Sequence, residues 1–154
     1  MRPIGMRTTP VAAGLLAALL TPLAGCAQSG APAADGPPAT LPARVVLTKS
    51  GGIAGLADTV TVQTDGHWTK VDRSGASHAG RLTTTDLDRL RQLTTDPRLP
   101  AEATATTPAT MCADAFTYQL TVGDTTTGYV DCPSQATAPA ATGAVVELLN
   151  RATG

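Results

Sequence analysis

The first 26 residues limit everything that can follow them. Arg2 and Arg7 open the chain, and an apolar run over residues 11–20 (VAAGLLAALL) comes next, followed by small residues. A positive start, an apolar middle and a small-residue end make a secretory signal. A membrane span needs about 20 apolar residues, and Pro22 interrupts this run too early. Removing a leader through Gly25 from 154 residues leaves 129. That length builds one modest domain and not two. The leader also takes Arg2 and Arg7 with it, so the net charge moves from −1 to −3. No basic patch or arginine-rich run remains, which argues against nucleic acid as a partner.

Leu23, Ala24, Gly25 and Cys26 stand at the end of the apolar run and resemble the bacterial lipobox. The resemblance implies a diacylglyceryl group on the Cys26 thiol and cleavage just before it. Two or more acyl chains hold a protein stably, at ~0.8 kcal/mol per buried methylene. The expected location is the extracellular face of the cell membrane, with the lipid as the membrane contact. Ordinary secretion is the alternative, and it leaves an unpaired exposed thiol on Cys26. With Cys26 lipidated, Cys112 and Cys132 remain as a pair. An oxidising compartment favours a disulfide between them, and closing a loop of about 20 residues stabilises by roughly 3 kcal/mol. A zinc site fits poorly, because His67 and His78 lie far off and no C-x-x-C occurs.

Residues 26–42 (CAQSGAPAADGPPATLP) carry one charge and little to bury, and read as a flexible Ala/Pro/Gly tether. The folded domain is expected over 43–154. Residues 44–48 (RVVLT) form a first strand, and a glycine-rich loop follows. Residues 59–64 (TVTVQT) alternate as a strand does. Asp65-Gly66 is the preferred pair for a two-residue type I′ turn, and 67–71 (HWTKV) return. In that register Val62 faces Thr69, Val60 faces Val71, and Trp68 lies on the other face, covering the sheet or exposed for binding. Residues 72–80 read as a polar loop.

Thr83 is then the N-cap of a helix with Asp86 at its third position, a capping-box arrangement. Leu82 and Leu87 occupy the hydrophobic-staple positions, and Leu87, Leu90 and Leu93 make a narrow apolar stripe. Asp96-Pro97 ends the helix. Residues 99–111 show no pattern and read as loop. Residues 115–122 (AFTYQLTV) alternate most clearly, a turn begins at Gly123-Asp124, and 127–132 return. A tight turn there does not place Cys112 opposite Cys132, so a bulge, a longer loop or an approach from outside the strand is required. Pro139 opens a final amphipathic helix carrying Val145, Val146, Leu148 and Leu149. The sum is an α+β fold: a small antiparallel sheet of four to five strands packed with two helices.

Catalytic chemistry is hard to find in this chain. Gly75-Ala76-Ser77-His78-Ala79 approaches G-x-S-x-G, but that motif needs a strand, a sharp turn and a helix. Asp86 and Asp88 are explained as helix N-terminal acids. No H-E-x-x-H, P-loop or dinucleotide fingerprint occurs. The expectation is a protein that is not an enzyme and takes no cofactor or metal. The glycine loop remains: Ser50, Gly51, Gly52, Ile53, Ala54, Gly55 and Leu56. It is either a strand-to-strand turn or a low-profile binding edge that works through its backbone, Ile53 and Leu56.

Ser50-Gly51-Gly52-Ile53-Ala54-Gly55 after a short strand resembles the S-G-G-F-A-G segment of emfourin, the protealysin-inhibitor family. The spaced Leu87, Leu90 and Leu93 are similar to that family's helix, and Asp114, Phe116, Tyr118 and Leu120 to its D-x-F-x-Y-x-L strand. The resemblance covers residues 45–149. It implies a small non-enzymatic inhibitor that docks on thermolysin-like zinc metallopeptidases and blocks the substrate cleft, with residues 50–56 as candidate contact surface or support. Ile53 stands where the family has an aromatic, and the cysteine pair and lipid anchor are departures. The other expectation is a cell-envelope lipoprotein with a structural or ligand-binding role and no peptidase target.

Overall fold

The computed structural model describes residues 39–105, 112–132 and 137–154. The expected leader, Cys26 and the expected tether through residue 38 lie outside the described residues. No helix among the described residues is long and apolar enough to cross a membrane.

Nine elements follow in chain order: β1 Val45–Gly51, β2 Leu56–Val62, β3 His67–Val71, β4 Ser77–Arg81, α1 Thr84–Thr94, α2 Arg98–Ala103, β5 Phe116–Val122, β6 Thr125–Asp131 and α3 Ala140–Thr153. The strands form one sheet in the order β4-β3-β2-β1-β5-β6, and every neighbouring pair is antiparallel. The α+β class and the antiparallel sheet are as expected, with six strands rather than four to five and three helices rather than two among the described residues.

The helices cover one face of this sheet. Side chains alternate across a strand, so Val45 and Leu47 of β1 share that face with Val60 and Val62 of β2 and with Tyr118 and Leu120 of β5. All six are buried. Leu87, Leu90 and Leu93 bring α1 onto the core, and Val145, Val146, Leu148 and Leu149 bring α3. The opposite face is an open threonine surface. Across it the pairing runs Thr69, Thr61, Val46, Thr121, Thr126, and the last two hydroxyls lie 3.1 Å apart.

The α1 start is as the sequence predicts. Thr83 accepts a hydrogen bond from the Asp86 amide at 3.1 Å and donates its hydroxyl to the Asp86 carboxylate at 2.8 Å. Residues 99–111 are not all loop, since α2 occupies 98–103 and buries Leu99. Leu41, which the sequence assigns to the tether, packs in the core and donates its amide to the Thr64 carbonyl at 2.8 Å. The fold therefore takes in the last residues of that segment.

The β2–β3 hairpin corrects the expected register by one residue. Gln63 and His67 close a three-residue loop, Thr64, Asp65 and Gly66. The Gln63 amide bonds the His67 carbonyl at 2.8 Å, and the Gly66 amide bonds the Gln63 carbonyl at 2.9 Å. Only Gly66 has positive φ, 85°. A type I′ turn needs two such residues, whereas a type I turn closed by one left-handed glycine needs one. A one-residue slip exchanges the faces of a strand. Val62 thus pairs with Trp68 and Val60 with Lys70. Trp68 joins the helix-covered face and lies over Gly80 of β4, its pairing partner. The strand β4 replaces much of the expected polar loop.

Candidate functional site

The sheet has two poles. The chain enters at one, where Leu41 bonds Thr64 and Gly123 donates to the Arg44 carbonyl. The strand β1 then runs about 20 Å to the other. The glycine segment lies at that far pole, as the connection between β1 and β2. Ser50 and Gly51 end β1 and pair with Ala57 and Leu56 on one side and with Thr117 and Phe116 on the other. The tip is Gly52, Ile53, Ala54 and Gly55, closed by the Gly55 amide on the Gly52 carbonyl at 2.9 Å. Ile53 is 91% exposed, the most exposed of the large hydrophobic side chains described. Ala54 and Gly55 are also exposed, while Ser50, Gly51, Gly52 and Leu56 are half-buried. The seven candidate residues therefore divide into a displayed tip and its support.

Three features hold the tip in place. Gly51 lets two backbones approach closely, since a Cβ there would run into the Ala115 carbonyl. The Phe116 ring fills the underside of Gly52. Arg73, in the turn between β3 and β4, donates from Nη1 to the carbonyls of Ala54 at 2.9 Å and Gly55 at 3.1 Å. Below Phe116 the Lys49 ammonium sits 4.4 Å from its ring centre and 5.7 Å from that of Tyr118, cation–π distances. Tyr118 stacks on Tyr129 at 5.1 Å. Burial, then the neighbouring Tyr118 and Asp131, push the Tyr129 hydroxyl up to about 12, so it stays neutral.

Cys112 and Cys132 also meet near this pole, at disulfide-bonding distance, with Cα atoms 6.1 Å apart. Cys132 follows β6, and Cys112 comes back from outside the sheet through a turn in which Asp114 has φ 62°. Of the arrangements the spacing leaves open, this is the approach from outside the strand.

The remaining sequence candidates are not assembled into a reaction centre. Ser77 and His78 are consecutive on β4, so they point to opposite faces and cannot form a nucleophile–base pair. The Asp72 carboxylate is engaged by its own turn, accepting from Ser74 Oγ at 2.6 Å, the Ser74 amide at 2.8 Å and the Ala76 amide at 3.0 Å. Asp86 caps α1 and meets Arg151 at 3.3 Å, and Asp88 meets Arg91 at 3.4 Å. His67 is exposed and bonded to Asp65 at 2.8 Å. Among the described residues no group of three or more His, Cys, Asp or Glu side chains is placed to hold a metal ion.

Two features escaped sequence reasoning. A hollow of about 430 Å³ on the helix side is lined by Leu56, Asp58, Trp68, Lys70, Asp72 and His78 together with the end of α3. Its residues come from three strands, the turn after β3 and the end of α3, and only the tertiary fold places them together. Glu102 of α2 caps α3, accepting from the Ala141 and Thr142 amides at 2.8 Å each and from the Thr142 hydroxyl at 2.6 Å. Burial acts to raise the Glu102 pKa, but these three donors outweigh it and hold the carboxyl below its ordinary value. The partners are 39 and 40 residues apart, and no local signal joins them.

No protein-family model matches the chain, and no curated protein matches it.

Proposed function

We propose that this is a non-enzymatic binding domain, held at the outer face of a bacterial membrane by lipid on Cys26, which inhibits thermolysin-like zinc metallopeptidases through residues 50–56. The observation that carries the reading is Ile53, a large apolar side chain 91% exposed on a hairpin whose backbone is held from below and from the side. Exposed apolar side chains are ordinary when scattered. One fixed at a rigid tip has the form of an anchor for an apolar recess.

The test is inhibition of a panel of thermolysin-like peptidases by the mature chain. Inhibition at micromolar protein or below is expected, and Ile53→Asp should weaken it by about 30-fold, the effect of losing one buried anchor. The exposed position makes the variant neutral for folding. No inhibition across the panel overturns the reading. A second reading, ligand binding in the cell envelope, is favoured by the hollow between Trp68 and Lys70. Capture of cell-wall material alone by the mature chain would support it.

A further inference from the structure

The β1–β2 and β3–β4 connections lie at the same pole, yet β1 and β3 are not neighbours, because β2 runs between them. Backbone pairing alone does not couple the two connections. The Arg73 side chain does, across 19 and 18 residues of sequence. Arg73 leads a turn that is itself fixed, since the Asp72 carboxylate accepts three hydrogen bonds from Ser74 and Ala76. The guanidinium thus reaches the 52–55 tip from an anchored base.

We propose that the two connections form a single preorganised contact surface tied by Arg73, which fits a partner with an apolar recess rimmed by a carboxylate. The inference rests on the reading above and names the chemistry of the partner's rim. Its first half is conformational. A tip of Gly, Ile, Ala and Gly is free to move unless its carbonyls are held, and ordering one residue's backbone costs about 1–2 kcal/mol. Two bonds from Arg73 meet that cost before the partner arrives, which is preorganisation. Its second half is chemical. Guanidinium carries five N–H donors, and Nη1 is used on Ala54 and Gly55. Nε and Nη2 have no partner among the described residues. Together they form the edge that grips a carboxylate with two parallel bonds, beside the apolar Ile53.

The experiment compares the mature chain with its Arg73→Ala and Arg73→Lys variants. Amide hydrogen exchange at Gly55 is read in the free protein, and the dissociation rate is read with whichever thermolysin-like peptidase the wild type inhibits. Arg73→Ala should speed Gly55 exchange at least ~10-fold with no change in Tm, and speed dissociation by about as much. Arg73→Lys should stay near Arg73→Ala in dissociation, because a point charge does not replace a planar fork. Unchanged Gly55 exchange in Arg73→Ala overturns the tie, even if the wild type inhibits. Wild-type dissociation from Arg73→Lys overturns the bidentate rim contact. A wild type that inhibits nothing, with Gly55 exchange accelerated in Arg73→Ala, defeats the peptidase reading and upholds the tie.

Discussion

The β2–β3 and β3–β4 turns have the same backbone and opposite uses. Each is a three-residue loop ending in a left-handed glycine, Gly66 at φ 85° and Gly75 at φ 83°. Each is closed by the same two hydrogen bonds, Gln63 with His67 and Gly66, and Asp72 with Ala76 and Gly75. The first is built into the core. Gly66 is buried against Leu87, and its carbonyl accepts the Leu82 amide at 3.0 Å. At the second, nothing lies within 4 Å of where a Gly75 Cβ would be. Its contribution is the reach of Arg73. One turn sets the sheet's register; the other positions a displayed loop. The contrast extends to the poles: α1 starts beside the first turn, whereas the second shares its pole with the Cys112 and Cys132 pair.

Reduction of that pair is the strongest way to break the contrast. For a separation of 20 residues, a closed loop stabilises by about 3 kcal/mol. Reducing the protein should therefore lower its Tm. It should also accelerate exchange first at the Gly52 amide, which bonds the Ala115 carbonyl at 3.2 Å. The Leu82 amide, bonded to Gly66, should keep its protection. Equal acceleration at both would show that the poles open together and that the division between them has no energetic content.

Paired glycine substitutions sharpen it at smaller scale. A left-handed alanine costs roughly 1–2 kcal/mol, and Gly75→Ala should show that cost alone. Gly66→Ala must also displace the Leu87 methyls, 3.2 Å from the new Cβ, which adds about 1 kcal/mol of overpacking. Chemical denaturation should rank Gly66→Ala as the more damaging. Equal losses would mean that α1 yields freely and that the first turn is no more embedded than the second.

The same two turns show how far the residues themselves could be read. Asp65-Gly66 lies between alternating β-branched residues and is visible as a hairpin. Its loop length was not legible, because Asp65 could equally take the second left-handed position or bond the His67 amide. The structure takes the second course, at 3.1 Å. Ser74-Gly75 announces a turn less strongly, since the strand after it, Ser77–Arg81, has no apolar alternation. An edge strand gains from one neighbour, and here that gain is Trp68 lying over Gly80. The helix α1 was legible because its Thr83 cap and spaced leucines are local, and α3 because its apolar residues follow Pro139 directly, although its cap comes from Glu102. The short α2 buries only Leu99, and its Glu102 contact is wholly tertiary. For the candidate site, residues 50–56 were visible as a segment. Which of them are displayed, and that Arg73 holds them, depends on strand order.

Acid gives the smallest and most selective separation of the two turns. Both aspartates are held below the ordinary value of 3.8. For Asp65 the cause is the His67 side chain and then its amide; for Asp72 it is the Ser74 hydroxyl, with the Ala76 and Ser74 amides adding to it. A carboxyl that titrates lower folded than unfolded contributes fully above the unfolded value, and that contribution is lost as pH falls through the folded one. Both turns therefore weaken only below about pH 4. The consequences differ. Protonated Asp65 leaves Gly66 pinned by Leu87 and by the Leu82 amide. Protonated Asp72 releases Ser74 and Ala76, and with them the base from which Arg73 holds Ala54 and Gly55. Amide shifts followed by NMR from pH 6 to pH 2 should move at Ser74 and Ala76 together with Gly55, while Gly66 holds its position. If Gly55 stays still while Ser74 and Ala76 move, Arg73 does not need its turn intact, and the far pole is held by the tip's own hydrogen bonds.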